Sequence, residues 1–428
     1  MRIPWAPFAF LLAAPLSFAQ QELSPDALLL AKVKLRAAEN LEKLPNYTCL
    51  ETIERSRRRA STRRFELVDL LRLEVGLVDR KELFAWPGSG EFTDTEIADM
   101  VGHGAIGNGS FALHARSLFL SGVPAFTYIG ERIREGRATH RWDYRVPLIH
   151  SGYTMRVKPQ KGIVGYQGSV WVDASTLDLL RIEIQVTEIP PNLPISTSTE
   201  SLDYQSVPIA GTNFLLPQSS ELTIVDLQGN ESRNRTRFSN CRQFSGESVL
   251  TFDDAPGAAT EAKKPPTKIV LPADLELELD LRTPIEPGVT AVGDTVEAIV
   301  VRDVKRKGVV FLPKGTKVTG RVWKLERLQT PARTEWQAGL LFLRFSFDNS
   351  QGHNSYGEFR ARLTPPFPGA SQPNRSLEAV QVYTMVRDEP VVDPRIGILN
   401  LKGERGKLPL GTRLNWRTLL PPSHEEKP

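Results

Sequence analysis

The chain has 428 residues, of which 40% are hydrophobic and 24% charged, so it is not a disordered polymer and has room for two or three domains, each with a core. Lysine and arginine number 54 against 50 acidic residues, a near balance that argues against nucleic acid as the main partner.

The first element is a leader. Arg2, the apolar run Phe8 to Leu16 and then Ser17-Phe18-Ala19 form the charged, apolar and small-residue regions of a secretory signal peptide over 1–19, cut near Ala19. Its apolar core is shorter than the ~18 residues of a membrane span, and no later stretch reaches that length. The mature chain is therefore expected to have no transmembrane segment and to be periplasmic or secreted. Removing the leader takes away one Arg and no acid, leaving 53 basic against 50 acidic residues.

Ser24-Pro25-Asp26 supplies a capping hydroxyl, a proline suited to the first helical position and an acid for the first turn. A helix over 25–43 follows, stopped by Pro45. From Tyr47 the pattern changes to alternating segments separated by turn residues, which predicts antiparallel strands at 47–57, 63–76, 81–86, 124–133, 136–147, 152–158, 162–173, 178–189, 197–209, 212–228 and 232–243. Such a run implies one large curved sheet. Helical pieces at 93–101 and 111–120, hinged on Gly102, Gly104, Gly107 and Gly109, interrupt it between the third and fourth strands.

Asp253 to Lys268, rich in Pro, Ala and charge, reads as a linker. A second strand-rich region follows over 269–420, with strands expected at 274–282, 294–304, 308–312, 316–327, 339–348, 356–363, 379–385, 397–402 and 412–419. In the first of these, Leu275, Leu277, Leu279 and Leu281 alternate with Glu276, Glu278, Asp280 and Arg282, predicting one buried and one wet face. Segment 364–376 reads as a surface excursion and 421–428 as a disordered tail. The fold class is mainly β with helices (α+β): a large curved antiparallel sheet or unclosed β-barrel with N-terminal and inserted helices, linked to a smaller all-β barrel or sandwich.

Cys49 and Cys241 are the two cysteines. In an exported protein they are expected to join, closing a loop whose stabilisation the chain-entropy argument puts at roughly 4 to 5 kcal/mol. The alternative is two separate buried thiols. Two sulfurs without clustered histidines make a poor zinc site, and neither a metal nor a cofactor is expected.

Catalytic signatures such as GxSxG, HExxH and GxxxxGK[ST] do not occur. Gly102 to Ser110 resembles a phosphate loop only in its glycines, because it lacks the lysine and a preceding buried parallel strand. His103 and His114 flank it without an acid at ligand spacing and read as helix-surface residues. No enzyme is expected. Arg55, Arg57, Arg58, Arg59, Arg63 and Arg64 crowd the turn between the first two strands. They form either a solvated hairpin tip or, through Arg57, Arg58 and Arg59, a seat for a lipid phosphate or another anionic envelope polymer.

Gly168-Ser169-Val170-Trp171-Val172-Asp173, a turn, and Leu179-Leu180-Arg181-Ile182 make a hairpin with period-two alternation. In wording and position this resembles the lipoprotein-carrier (LolA-like) superfamily over about 24–252. The resemblance implies an unclosed β-barrel with an apolar interior that receives acyl chains, with Trp171, Val170 and Val172 as candidate lining residues. The first region is accordingly taken as 22–252. A second resemblance runs from Leu271-Pro272-Ala273-Asp274 through Gly293-Asp294 to Leu312-Pro313-Lys314-Gly315-Thr316. It is similar to the start of the β-barrel domain of conjugal-transfer (TrbI-like) channel proteins and implies a small barrel used for docking.

The function expected on these grounds is an exported, non-enzymatic envelope protein. Its first region would bind a lipid, a lipoprotein acyl chain or another apolar ligand, and its second would contact other envelope proteins. A structural or adaptor protein acting only through protein contacts is the alternative. An enzyme on envelope glycans or lipids would need two convergent carboxylates, and nothing in the sequence selects two.

Overall fold

The computed structural model describes residues 24–420 apart from 95–96, 101–105, 108–110, 112, 158, 245–265, 330–333, 349–353, 366–379, 383–392 and 404–405. The expected leader, most of the expected linker, His103, most of the 364–376 excursion and the tail lie outside the described residues.

Helix α1 (Pro25–Glu42) starts as its cap dictates: the Ser24 side chain accepts the Ala27 N–H and Pro25 takes the first helical position. The strands that follow are β1 (Tyr47–Arg58), β2 (Glu66–Val78) and β3 (Lys81–Ala85). Two helices, α2 (Ile97–Met100) and α3 (Leu113–Leu120), fall within the two expected helical pieces, and Thr93, expected to open the first, instead pairs with Phe84 as an extension of the sheet. Next come β4 (Ala125–Arg134), β5 (Arg137–Val146), β6 (Thr154–Val157), β7 (Gln160–Ile163), β8 (Gly165–Asp173), β9 (Leu179–Thr187), β10 (Ile195–Ile209), β11 (Thr212–Asp226) and β12 (Glu231–Gln243).

Ten of these strands form one curled, open half-barrel in the order β3-β2-β1-β12-β11-β10-β9-β8-β5-β4. The strand expected at 162–173 is two: Val164 donates its N–H to the Tyr153 carbonyl and leaves the ladder, so β6 and β7 form a separate hairpin. Gly168 permits the close approach of β8 to β9, since a Cβ there would lie 1.8 Å from the Glu183 carbonyl oxygen. Across the sheet, Cys49 on β1 and Cys241 on β12 are joined by the expected disulfide.

The second region contains β13 (Thr267–Lys268), β14 (Glu276–Leu281), β15 (Thr295–Val300), β16 (Val304–Arg306), β17 (Val309–Leu312), β18 (Lys317–Gln329), β19 (Thr334–Asp348), β20 (Asn354–Glu358), β21 (Ala361–Thr364), β22 (Val380–Val382), β23 (Gly397–Lys402) and β24 (Arg413–Thr418). Their main sheet runs β13-β20-β19-β18-β15-β14-β24-β21, and β23 pairs with β19 and β22. Thr267 and Lys268, expected in the linker, pair in parallel with Ser355 and Tyr356. Glu278, expected on the wet face of β14, is 1% exposed; Arg413 lies 3.7 Å from its carboxylate.

The second sheet meets the first along the part of β2 that β3 leaves uncovered. Leu71 and Val292 form a parallel bridge, the Arg72 N–H donates to the Val292 carbonyl, and the Val292 N–H donates to the Leu70 carbonyl. Arg72 also pairs with Asp294, and Trp86 packs on Trp323. Apolar contacts continue from the first sheet into the second without a break.

Candidate functional site

The inner face of the half-barrel has an apolar floor. Period-two alternation puts Trp142 and Tyr144 of β5, Val170 and Val172 of β8, Ile182 and Ile184 of β9 and Leu202 of β10 on one side of the sheet. Val33 and Ala37 of α1, with Ala115, Leu118 and Phe119 of α3, cover that floor. Helix α1 is pinned there by Asp178 of the β8–β9 turn, which accepts from Arg36 at 2.8 Å and from Asn40 at 3.0 Å. On the other half, Phe111 lies between Tyr47 and Phe238, with ring centroids at 4.9 and 5.3 Å.

Between the two apolar halves runs a belt of buried polar side chains. On β1, Glu51 and Arg55 have the same parity as Ile53 and so face inward with it. Arg55 forms a buried ion pair with Asp69 on β2 and stands opposite Asn234 on β12. Thr236 faces Ser220, which faces Leu202, and Ser198 and Glu200 share the inner face of β10. Helix α3 completes the belt. The Leu113 N–H at its start donates to a Glu82 carboxylate oxygen at 3.2 Å, a favourable place for an acid at a helix N-terminus. One residue on, His114 Nε2 lies 3.2 Å from Glu200 Oε2, and its ring meets Tyr153 edge-on at 5.4 Å.

Burial governs the electrostatics here. Glu51 is pushed up to about 8, first by loss of hydration and then by the charge of Glu82, so at neutral pH it carries a proton. Burial works against the charged form of His114, but the carboxylates of Glu200 and Glu82 outweigh it and raise its pKa. Tyr47, Tyr153 and Tyr204 are raised, chiefly by burial. The charge of Glu82 contributes to the upward shifts of Glu51, Tyr47, Tyr204 and His114. Glu51 Oε2, Tyr47 OH, Tyr204 OH and Ser198 Oγ are buried without a hydrogen-bond partner. Each such atom costs roughly 1–3 kcal/mol.

The sequence-derived candidates do not come together. Val170 and Val172 lie on the inner floor at 0% exposure. Trp171 points to the opposite face, between the guanidinium groups of Arg134 and Arg141 at 5.4 and 5.2 Å from its ring centroid, which removes it from the interior lining. Period two makes that separation unavoidable for three consecutive residues. Arg57 is exposed at the end of the β1–β2 ladder, opposite Glu66, and Arg59 is exposed just beyond β1. Arg58 pairs with Glu231 and lies over Phe65. In sheet order β1 is five strands from β8, so these arginines sit far from the valines. Arg55 belongs to the interior rather than the tip, because its parity on β1 aims it at Asp69. His114, expected on a helix surface, is 8% exposed and bound to an acid brought from β10 by the fold.

Glu51, Glu82, Glu200 and Tyr204 were not singled out from the sequence. The available signal was parity: Glu51 stands two residues from Cys49 and Ile53, and Glu200 two from Leu202, both at core positions. Among the described residues, no group of three or more His, Cys, Asp or Glu has the geometry of a metal site, and no helix is long and apolar enough to cross a membrane.

No family model and no curated protein sequence matches the chain. Among solved structures, a domain from Vibrio parahaemolyticus named for outer membrane lipoprotein sorting is similar at 11% identity and a TM-score of 0.28, covering 52% of this chain and 95% of that one. A DUF1329 family protein from Desulfovibrio piger aligns at 11% identity and a TM-score of 0.27, over 52% and 97%. A LolA superfamily protein from Nitrosomonas europaea aligns at 10% identity and 0.27, over 50% and 93%. Superpositions this loose carry no functional weight. The resemblance of 268–327 to conjugal-transfer proteins gains no support from them.

Proposed function

We propose that the inner face of the first sheet holds the apolar chain of a lipid-like ligand, and that the protein carries or senses this ligand outside the cytoplasm without covalent chemistry. The observation that carries this reading is the meeting, under α1 and α3, of an apolar floor with a patch of unpartnered buried polar atoms. An amphiphile is the class of molecule that presents both surfaces at once. The Cys49–Cys241 disulfide supports an oxidising compartment. The second sheet serves as a docking module, and the boundary between the two regions falls within 253–268.

Magnitudes favour uptake. A chain entering the floor displaces Leu118 and Phe119, whose burial stabilises the fold by ~1.5–3 kcal/mol each, whereas a twelve-carbon chain contributes ~0.8 kcal/mol per buried methylene. The test is native mass spectrometry of mature protein purified gently from the cell envelope, followed by solvent extraction. A stoichiometric adduct that releases an apolar molecule is expected. A bare mass, together with failure to take up fluorescent acyl probes, would overturn the reading and leave an adaptor whose inner face is only a packed core.

A further inference from the structure

We infer that the β16–β17 hairpin of the second region is where the protein touches a membrane, its tip entering the head-group layer of an anionic lipid bilayer. This rests on the docking role proposed above, names its partner, and does not depend on the ligand of the first sheet. The hairpin stands apart from the main sheet as a two-stranded ribbon. Its base is anchored, since Val304 and Leu312 pair across the ribbon and are buried in the core. Its tip projects. Lys307 and Gly308 turn the chain with φ of +51° and +82°, and a Cβ on Gly308 would meet nothing within 4 Å. Val309 and Val310 are 58% and 46% exposed. Consecutive strand residues face opposite sides, so neither face of the tip is covered.

Charge selects the partner. Residues 302–314 hold five basic side chains, Arg302, Lys305, Arg306, Lys307 and Lys314, against one acid, Asp303, whereas the rest of the chain has 49 basic and 49 acidic residues. All five basic residues are exposed. The Asp303 carboxylate ties the corner together: it lies 3.8 Å from Lys305 Nζ and accepts the Lys314 N–H at 2.9 Å. Arg306 donates to the Ala273 carbonyl at 3.3 Å, a neutral partner that leaves its charge in place, and counting Asp274 beside it still leaves cations in excess. The register sets Arg306 opposite Val309 and Lys305 opposite Val310, so each face of the ribbon carries one valine and one cation. A stable protein interface buries roughly 800 Å² per partner, more than one face of so narrow a tip offers. A bilayer instead surrounds the tip. The valines enter the head-group and acyl boundary, ~5–10 Å deep, while the long basic side chains reach back to the phosphates. Three steps along the strand from Val304 to Lys307 span about 10 Å, which matches that depth.

The test is flotation of the mature protein with vesicles of phosphatidylcholine alone or mixed with an equal part of phosphatidylglycerol. Partition onto the mixed vesicles is expected, with little onto phosphatidylcholine. Raising salt from ~0.1 to ~1 M shortens the screening length from about 10 to about 3 Å and should release most of the bound protein. Lys307→Asn, which suits the left-handed backbone of the turn, and Lys314→Gln should each weaken partition about fivefold. Val309→Thr with Val310→Thr keeps the branched shape and strand preference but puts hydroxyls where the tip must lose water, and should weaken partition about tenfold. All four positions are exposed, so the thermal midpoint should hold and show that the variants fold. Absence of partition onto the mixed vesicles would overturn the inference and turn the search to an acidic protein. Partition that survives the lysine changes would place the contact elsewhere, and partition that survives the valine changes would overturn insertion of the tip. None of these substitutions should alter the adduct sought by native mass spectrometry, so failure here leaves the carrier reading standing.

Discussion

Replacing Glu51 with Gln changes the pH dependence of stability in a direction the structure dictates. The carboxyl titrates near 4.5 when hydrated and is pushed up to about 8 in the fold. The folded state therefore holds its proton more tightly than the unfolded chain does. Stability from this group is complete below the unfolded value, declines as pH rises through the window from 4.5 to about 8, and is level above it. At pH 7 the loss is about 3 kcal/mol, and above the folded value about 5 kcal/mol, from ~1.4 kcal/mol per unit. Gln cannot ionise, so Glu51→Gln should match wild type near pH 5 and exceed it progressively toward pH 8.5. Chemical denaturation with the disulfide intact, repeated across that range, measures the gap. A gap that stays constant with pH, or a variant that grows weaker relative to wild type as pH rises, would refute the assignment of Glu51 as a buried, protonated carboxyl.

Three other perturbations have definite expected outcomes. Cys49→Ser with Cys241→Ser opens a link between residues 192 apart and should cost up to about 5 kcal/mol, read as a fall in thermal midpoint that reductant reproduces in wild type. Arg55→Met should cost about 3–5 kcal/mol by stranding Asp69, and adding Asp69→Leu should restore most of it; failure of the second change to rescue would show that the pair is not acting as a unit. Gly293→Ala should cost at least about 2 kcal/mol and speed proteolysis around 284–294, because φ is +100° there and the new Cβ would stand 2.2 Å from the Arg72 carbonyl oxygen. An alanine variant as stable and protease-resistant as wild type would contradict the close docking of that turn on β2.

Local chemistry made much of the fold legible. Ser24-Pro25-Asp26 marked α1, and alternation marked the strands of the curled sheet to within a few residues. What stayed hidden was which parity faces inward. On β1, Glu51 and Arg55 look like wet-face residues by type, yet they share parity with Cys49 and Ile53. Alternation alone reads the same for a filled core and for an open trough, and it carries no information about a partner that arrives from a distant strand. His114 illustrates this, since its acid lies 86 positions along the chain and is delivered by the β10 register. Trp171 shows the opposite error: a large apolar side chain drew attention inward, whereas two arginines hold it on the outer face.

The central claim, that an apolar chain lies on the inner face, is tested most directly with a dodecyl ligand brominated along its chain. Bromine quenches tryptophan at contact range, and the sheet presents Trp142 inward and Trp171 outward. Quenching should occur in wild type, persist in Trp171→Phe and largely disappear in Trp142→Phe. Quenching that survives in Trp142→Phe, or that is lost in Trp171→Phe, would place the chain elsewhere and contradict the account.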